Sequence, residues 1–439
     1  MSPTAQKTQN IQQSHLTTQN LSSNDTTALP VKHHQIVIVG GGAAGITVAA
    51  QLLKRDRALD VAIIEPSDKH YYQPGWTLVG GGIAPISKFI RDEKAVIPKG
   101  ATWIQNRVAK LEPDRNIVIT QEGNEIEYDY LVVCPGIQID WHLIKGLKEA
   151  LGKNGVTSNY SKDYAPYTWE IIKNFKGGNA IFTHPATPIK CGGAPQKVMY
   201  LADDIFKSNK VDTTVMFCTA GASMFSVPEY SASLDKVVAR RQIVTKFKHN
   251  LKEIKADTQE AIFAVTTDSG TEEVSLHYDM IHVAPPMSAP DFIKHSPLAG
   301  AGGWVEVDKE TLQHTRYANV FALGDASSLP TSKTAAAARK QAPVAVQNLL
   351  ALIRSKPLSA KYDGYTCCPL ITGYNSAIMA EFAYGGKLAP SFPLDPTQER
   401  YSMYLAKARV LPWLYWNRML KGKGFEADIL KPINKLVRR

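Results

Sequence analysis

Two cysteines lie in short stretches of small residues that are typical of loops. Cys191 is part of Lys-Cys-Gly-Gly-Ala-Pro at residues 190–195, and Cys368 is part of Tyr-Thr-Cys-Cys-Pro at residues 365–369. Two thiols that meet can form a disulfide, in which a nucleophile attacks one sulfur while the other leaves as a thiolate. Because the two cysteines are far apart in the chain, only the fold can bring them together. If they meet beside a redox group, the chain is an oxidoreductase.

A glycine-rich motif follows the first apolar run of the chain. Residues 35–39 are Gln-Ile-Val-Ile-Val, which predicts a buried parallel strand, and residues 46–53 are apolar and favour a helix. The residues between them that fit the G-x-G-x-x-G pattern are Gly40, Gly42, Ala43, Ala44 and Gly45. Glycines here let the backbone approach a pyrophosphate, whose charge the N-terminus of the next helix stabilises.

A second predicted strand supports a dinucleotide site. Residues 61–64 are Val-Ala-Ile-Ile and are followed by Glu65, which lies about 20 residues after the last glycine of the motif. A carboxylate at this position accepts hydrogen bonds from the ribose of an adenosine. The two strands and the glycine turn therefore predict a dinucleotide-binding unit.

A downstream block indicates which dinucleotide is bound. Residues 319–323 predict a strand that ends in Gly324 and Asp325. Two-part FAD enzymes use such an aspartate to bind the ribityl chain. Residues 331–334 then lead into an alanine-rich helix, and the positive end of that helix would stabilise negative charge on a reduced flavin. Together the two blocks predict FAD.

The middle of the chain predicts a second α/β unit that lacks a phosphate loop. We expect strands at residues 179–183 and 213–218, and helices at 196–207 and 231–248. After the first of these strands, prolines at 185, 188 and 195 replace a glycine fingerprint, so the loop is poorly suited to hold a second pyrophosphate. A nicotinamide is therefore not the expected electron donor. The first of the helices places Cys191 just before a helix N-terminus, where a thiolate is favoured.

Composition sets the limits of the fold. The chain has 439 residues, of which 44% are apolar and 21% charged, which is typical of a globular protein with two or three domains. Residues 1–34 are polar, lack the apolar core of a secretory signal, and predict a disordered tail. Five irregularly spaced cysteines argue against a structural disulfide framework. Neither a metal-ligand spacing nor a nucleic-acid motif is evident.

Several motifs together resemble the sulfide:quinone oxidoreductases, most closely their mitochondrial-type group, from about residue 35 to the C-terminal region. The segments that carry the resemblance are residues 70–74, 76–80, 190–195, 284–288, 329–335 and 362–370. The resemblance implies an α/β fold with two Rossmann-like dinucleotide-binding domains, one for FAD and one degenerate. The FAD contacts that it implies map onto Ala43, Ala44, Glu65, Gln73, Val108, Asp325 and Lys333.

The resemblance also implies a pair of redox cysteines, which map onto Cys191 and Cys368. Cys367 departs from the family pattern, where a small hydroxyl residue is ordinary, so the choice between the two neighbouring sulfurs as the partner of Cys191 stays open; the Cys-Pro context favours Cys368. In the implied reaction, hydrosulfide attacks Cys368 and leaves it as a persulfide. Two electrons pass through FAD to a membrane quinone, and a small acceptor removes the sulfane sulfur.

The C-terminal segment predicts peripheral attachment to a membrane. Residues 401–439 carry nine Lys/Arg and two Asp/Glu, and the formal charge of the whole chain is +10. Trp413, Leu414 and Trp416 lie among these basic residues, a pattern typical of an amphipathic anchor on anionic lipid. The expected location is a bacterial inner membrane on its cytoplasmic face, or the mitochondrial inner membrane. A helix pair packed on the protein's own core is the alternative. Lys407 matches a family position near the C-terminal tail and is a candidate quinone contact, with a solvated lysine as the alternative.

These interpretations predict five segments and leave two other functions open. We expect a tail over 1–34, an FAD-binding domain over 35–150 and 301–360, and a degenerate nucleotide-binding-like domain over 151–300. Residues 361–439 would form a redox-cysteine loop and membrane-associated helices. The alternatives are a type II NADH:quinone dehydrogenase, which would not need either cysteine, and a non-enzymatic flavin-binding redox sensor at the membrane.

Overall fold

The structure is a computed structural model that describes residues 31–424. Most of the predicted tail and residues 425–439 of the predicted membrane segment lie outside the described residues. The tail boundary at residue 34 was wrong, because the first strand begins at Lys32. His33 and His34 of this strand hydrogen-bond to Asp129 and Asp60, which fixes the start of the strand to its neighbours.

Strands and short helices alternate through most of the described chain. The strands are β1 (Lys32–Val39), β2 (Val61–Ile64), β3 (Lys69–Tyr71), β4 (Ile90–Asp92), β5 (Ala101–Ile104), β6 (Val108–Glu112), β7 (Ile117–Thr120), β8 (Glu125–Val133), β9 (Gln138–Ile139), β10 (Val156–Thr157), β11 (Gly178–His184), β12 (Thr213–Thr219), β13 (Val244–Lys246), β14 (His249–Lys255), β15 (Glu260–Thr267), β16 (Gly270–His277), β17 (Met280–His282), β18 (Met287–Ser288), β19 (Val320–Ala322), β20 (Thr366–Gly373) and β21 (Ser376–Phe382). The helices are α1 (Ala43–Arg55), α2 (Trp76–Gly80), α3 (Glu93–Val96), α4 (Leu147–Ala150), α5 (Ala165–Asn174), α6 (Ala194–Ser208), α7 (Pro228–Arg241), α8 (Asp291–Lys294), α9 (Ala335–Ile353), α10 (Tyr401–Leu405) and α11 (Leu411–Asn417).

The first sheet has the strand order β5-β2-β1-β8-β7-β6. Strands β5, β2, β1 and β8 are parallel, and β19 pairs with the last three residues of β8. The first half of β8 instead pairs antiparallel with β7, so one long strand connects a parallel sheet to a meander. The carboxyl ends of β1, β2 and β19 consequently meet at one edge, which is where open α/β sheets bind nucleotides.

The second sheet is parallel, with the order β10-β17-β11-β12-β13. Helix α6 packs against β11 and β12, and the antiparallel sheet β14-β15-β16 lies beside them. The helix predicted over residues 231–248 was too long, because α7 ends at Arg241. Gln242 then takes a left-handed conformation with φ of 59°, which stops the helix and turns the chain into β13.

The segment around Cys368 is a strand and not the predicted loop. Residues Cys367 and Cys368 lie in β20, which pairs antiparallel with β21 and packs on α6. Successive side chains of a strand point to opposite faces. Accordingly, Cys367 belongs to the core of the first sheet, and Cys368 belongs to the core of the second.

The C-terminal helices pack on the first sheet's domain. Helix α10, a π-helical turn at Ala406–Val410 and α11 follow one another without a loop. Leu414 and Tyr415 of α11 are buried, and α11 is followed by a turn that packs on α1. Among residues 31–424, no helix has both the length and the apolar character needed to cross a membrane.

Candidate active site

The fold brings Cys191 and Cys368 together. The N–H of Cys191 donates to the carbonyl of Lys333 at 2.8 Å, and its own carbonyl accepts from the N–H of Ala194, the first residue of α6. Cys191 has a φ of 54°, so this turn holds a non-glycine residue in the left-handed region. The side chains of Cys191 and Cys368 lie within hydrogen-bond reach of each other.

The two thiols have opposite electrostatic environments. The hydrogen bond from Cys368 and the charge of Lys197 lower the pKa of Cys191 well below its usual value, although burial opposes this. The same hydrogen bond, followed by burial, raises the pKa of Cys368. The Lys197 ammonium lies 3.0 Å from the Cys191 sulfur. Cys191 is therefore the thiolate of the pair, and Cys368 is the thiol that donates to it.

Cys367 has a different environment from its neighbour. Its sulfur lies 3.4 Å from the Met379 sulfur, and the side chain is buried. Burial and then the charge of Glu381 raise the pKa of Cys367. Cys367 is thus a buried neutral thiol on the opposite face of β20 from Cys368. Of the two neighbouring sulfurs, that of Cys368 is the one in hydrogen-bond contact with Cys191.

The glycine motif lies between β1 and α1, as predicted. Gly40 has a φ of 102°, and a Cβ at Gly45 would lie only 1.9 Å from the Gly40 carbonyl oxygen, so the turn is closed tightly. Glu65 follows β2, and its Oε2 accepts from the Gly41 N–H at 2.9 Å. The carboxylate therefore lies beside the glycine turn at the carboxyl edge of the sheet.

The space in front of α1 fits a dinucleotide. Nothing lies within 4 Å of the position that a Cβ would take at Gly42, and no side chain caps the N-terminus of α1. The first N–H groups of this helix therefore face open space that a pyrophosphate could fill. Two further predicted contacts, Ala43 and Ala44, lie in the first turn of α1, and the predicted contact Val108 is the first residue of β6.

Strand β19 brings the second half of the predicted cofactor site to the same edge. Gly324 has a φ of 71°, and the N–H of Gly324 donates to Gln341 of α9. Asp325 is half-buried between Lys190 and Lys333; burial raises the pKa of its carboxyl, and the two lysine charges oppose that rise. Burial lowers the pKa of Lys333 to about 8.

Two contacts connect the cofactor residues to the cysteine loop. Lys190, the residue before Cys191, donates to Gln73 at 2.6 Å. Lys333 contributes its carbonyl to the Cys191 N–H, while its ammonium donates to the carbonyls of Asp325 and Ser327. The Cys191 turn is therefore fixed directly to residues predicted to contact the flavin.

Buried Lys407 extends the site toward the C-terminal helices. Its ammonium donates to the carbonyl of Pro74 at 2.7 Å and lies 6.0 Å from the ring centre of Tyr72. Burial and the charge of Lys197 lower the pKa of Lys407 to about 7. The charges of Cys191, Cys367 and Cys368 instead raise the pKa of Lys407. Lys407 therefore lies within electrostatic range of the sulfur pair.

The prediction that Leu414 of α11 faces the membrane was wrong, because this side chain is buried in the protein. Trp413 is 57% exposed, but Leu414 is 5% exposed and packs inside the protein. Trp416 is half-buried against Tyr415, and its ring packs against His70 and Arg91. The alternative of a helix pair packed on the protein core is thus correct for one face of α11.

His70 lies in a buried hydrogen-bond network. It hydrogen-bonds to Glu93 at 3.0 Å and to the Tyr415 hydroxyl at 2.6 Å, and all three side chains are buried. Cys134 and Cys218 are also buried, and burial raises the pKa of both thiols.

Sequence reasoning missed Lys197. The residue lies in the first turns of α6, six positions after Cys191, and is 2% exposed. A lysine close to a cysteine at a helix N-terminus is a known way to stabilise a thiolate. The signal was therefore present in the spacing, but an apolar face that buries a lysine is hard to predict from a single sequence.

Comparison with known proteins defines the class of this fold. A family model described as pyridine nucleotide-disulphide oxidoreductase matches residues 34–165. The X-ray structure of the sulfide:quinone oxidoreductase from Aquifex aeolicus superposes with a TM-score of 0.76 at 19% identity and covers 92% of this chain and 95% of that one. The protein therefore has the α/β fold of the pyridine nucleotide-disulphide oxidoreductases, as predicted.

Curated relatives define the family more closely. The mitochondrial sulfide:quinone oxidoreductase of Dictyostelium discoideum is 53% identical over 90% of this chain and 88% of its own length. The mouse protein of the same name is 47% identical over 89% of this chain and 87% of its own length. The chain belongs to the mitochondrial sulfide:quinone oxidoreductase family. It is accordingly an oxidoreductase with a flavin cofactor, and the resemblance is confirmed.

Proposed function

We propose that the chain oxidises sulfide at a Cys191–Cys368 disulfide and delivers the electrons through FAD to a membrane quinone. The observation that carries this proposal is the direct contact of two thiols with opposite pKa shifts, held against the Lys333 loop. Oxidation of the pair would form the disulfide that sulfide attacks. Family membership supplies the substrate class.

The pKa difference sets the direction of attack. In thiol–disulfide exchange, the sulfur with the lower pKa leaves faster. Cys191 is that sulfur, because Cys368 and Lys197 stabilise its thiolate. Hydrosulfide therefore attacks Cys368, which becomes the persulfide, while Cys191 leaves with the electron pair of the broken bond. A small nucleophilic acceptor then removes the outer sulfur from Cys368.

FAD is proposed to bind along the carboxyl edge of the first sheet. Residues of the glycine turn and Glu65 hold the adenosine and pyrophosphate half, and Val108 is a further FAD contact that the resemblance implies. Gly324, Asp325, Lys333 and Gln73 hold the flavin half next to the cysteine loop. When bound, the flavin accepts two electrons from the thiolate side of the pair and donates them to a quinone. The division into an FAD-binding part (35–150 and 301–360) and a degenerate nucleotide-binding-like part (151–300) is proposed on the same basis.

The C-terminal helices are proposed to attach the protein peripherally to the mitochondrial inner membrane. Three side chains on this surface are exposed: Tyr401 of α10, Val410 of the π-helical turn and Trp413 of α11. Arg409 precedes Val410 in the same turn. An aromatic and basic surface of this kind suits the headgroup region of a bilayer. A quinone would enter from this side, near Lys407.

Anaerobic titration of the flavin-loaded protein with sulfide tests the proposal. We expect sulfide to remove the absorbance of the oxidised flavin in the wild type, and both Cys191→Ser and Cys368→Ser to keep the flavin but lose this response. An oxidised flavin that sulfide leaves unchanged but that NADH reduces would contradict the proposal and favour the type II dehydrogenase.

A further inference from the structure

Tyr160 carries a buried hydroxyl with no hydrogen-bond partner. The residue is 5% exposed, and its hydroxyl meets no donor or acceptor among residues 31–424. Its main-chain N–H, in contrast, donates to the Ser158 hydroxyl at 3.2 Å. Proteins pair nearly all buried polar groups, so an unpaired one that persists needs a reason.

The ring of Tyr160 lies against the cysteine loop. Tyr160 forms a small apolar cluster with Ile189, Ala284 and Met287, to which Ala194 also packs. Ile189 and Ala194 flank the turn that carries Cys191, and the N–H of Lys190 donates to the Met287 sulfur at 3.4 Å. The packing thus fixes the position of Tyr160 relative to the reactive turn.

The hydroxyl lies within electrostatic range of both reactive sulfurs. Burial, and then the charges of Cys191 and Cys368, raise the pKa of Tyr160 well above its usual value. The phenol consequently stays protonated near neutral pH, so it acts as a hydrogen-bond donor and not as a base. A neutral donor next to anionic sulfur species is positioned to bind them.

Lys197 cannot serve as the donor to the substrate sulfur in place of Tyr160, because its ammonium stabilises the leaving Cys191 thiolate. Its ammonium contacts the Cys191 sulfur, which gains the negative charge when the disulfide opens. The sulfur that arrives as hydrosulfide, and that becomes the outer atom of the persulfide on Cys368, needs a donor of its own. We propose that the unpaired hydroxyl of Tyr160, packed against the cysteine turn, donates a hydrogen bond to this substrate sulfur.

The proposal rests on the proposed sulfide:quinone oxidoreductase function. It does not change which bonds break and form in that reaction or where the electrons go. The bond between Cys191 and Cys368 breaks, a bond between the substrate sulfur and Cys368 forms, and Cys191 leaves with the electron pair. Tyr160 keeps its proton throughout. Its role is to bind the sulfur before attack and to hold it as the persulfide afterwards.

Tyr160→Phe tests this with little change in packing, and Tyr278→Phe is the matched control. Tyr278 also carries a buried hydroxyl without a partner in the described chain, but it belongs to a different core cluster, and burial alone raises its pKa to about 12. The first measurement is the rate of anaerobic flavin reduction as a function of sulfide concentration, followed by rapid mixing. The second is the mass of the protein after one equivalent of sulfide, which reports the sulfur retained on Cys368 independently of the flavin.

We expect Tyr160→Phe to raise the sulfide concentration for half-maximal reduction at least about tenfold, the usual effect of losing a hydrogen bond to a charged group. It should also lower the fraction of protein that retains the extra sulfur. Tyr278→Phe should match the wild type in both measurements. If the sulfide concentration for half-maximal reduction of Tyr160→Phe is within twofold of the wild-type value, the inference is overturned and the proposed function stays intact. The same holds if Tyr278→Phe shows an equal loss. A wild type that sulfide does not reduce overturns both.

Discussion

The ammonium of Lys197 lies 3.0 Å from the sulfur of Cys191, and Lys197 is only 2% exposed. Burial alone would lower the pKa of Lys197, but the charges of Cys191 and Cys368 outweigh it and raise the pKa. Both members of the pair are therefore charged. In the proposed reaction, this ion pair makes Cys191 the leaving group of the disulfide, so that sulfide attacks Cys368.

Replacing Lys197 should reduce the thiolate character of Cys191. Lys197→Met keeps the length and apolar stem of the side chain but removes the charge that stabilises the thiolate. We expect the apparent pKa of Cys191 to rise by about one unit or more, which is about 1.4 kcal/mol per unit. Because the thiolate exists above its pKa, the pH at which half of Cys191 is reactive moves upward by the same amount. The measurement is the pH dependence of Cys191 alkylation in the reduced protein.

Lys207→Met is the control for this change. Lys207 lies on the same helix, but its side chain is exposed and forms an ion pair with Asp203. Its removal should leave the alkylation profile of Cys191 unchanged. An unchanged profile in Lys197→Met as well would show that the ion pair does not set the charge of Cys191.

The two neighbouring cysteines of β20 should behave differently when replaced. Cys367→Ser should keep sulfide-dependent quinone reduction within a few-fold of the wild type, because Cys367 faces Met379 and the other core. Cys368→Ser should abolish it, because Cys368 contacts Cys191. Both proteins should retain flavin. Loss of turnover in Cys367→Ser with normal turnover in Cys368→Ser would reverse the pairing.

Much of the first domain could be predicted because its signals are local. The strand at residues 61–64, the glycine turn and the helix that begins after Thr334 follow from short patterns of glycines, β-branched residues and a helix cap. Thr334 accepts from the N–H of Ala337, which is the capping bond that such a residue predicts. Local patterns of this kind do not depend on the rest of the fold.

Features that depend on tertiary contacts were harder to predict. The Cys367-Cys368-Pro369 segment reads as a loop because it ends in proline, yet pairing with β21 makes it a strand. Leu414 reads as a lipid-facing residue because tryptophans and basic residues surround it, yet it is buried in the protein. In both cases the partner surface, which one sequence does not reveal, decides the outcome.

Two glycines of the first turn should affect the protein in different ways. A Cβ at Gly45 would overlap the Gly40 carbonyl, so Gly45→Ala should destabilise the fold itself and lower the melting temperature of the protein even without flavin. Gly42 has an ordinary φ of −72° and open space around its Cβ position, so Gly42→Ala should fold normally. Its methyl group would enter the proposed pyrophosphate site, and we expect a flavin content several-fold below the wild type. Normal flavin content in Gly42→Ala would place the dinucleotide elsewhere.

Trp413 should contribute directly to membrane binding, since it is exposed on α11 while its neighbours Leu414 and Tyr415 are buried. Inserting its ring into the headgroup region would remove roughly 100 Å² of apolar surface from water, worth about 2.5 kcal/mol. Trp413→Ala should therefore weaken binding to anionic liposomes at least about tenfold in a flotation assay. Val244→Ala, which removes an exposed apolar side chain from β13, is the control and should float like the wild type. Equal flotation of all three proteins would mean that α11 does not contact the lipid, and that its exposed face contacts something other than the bilayer.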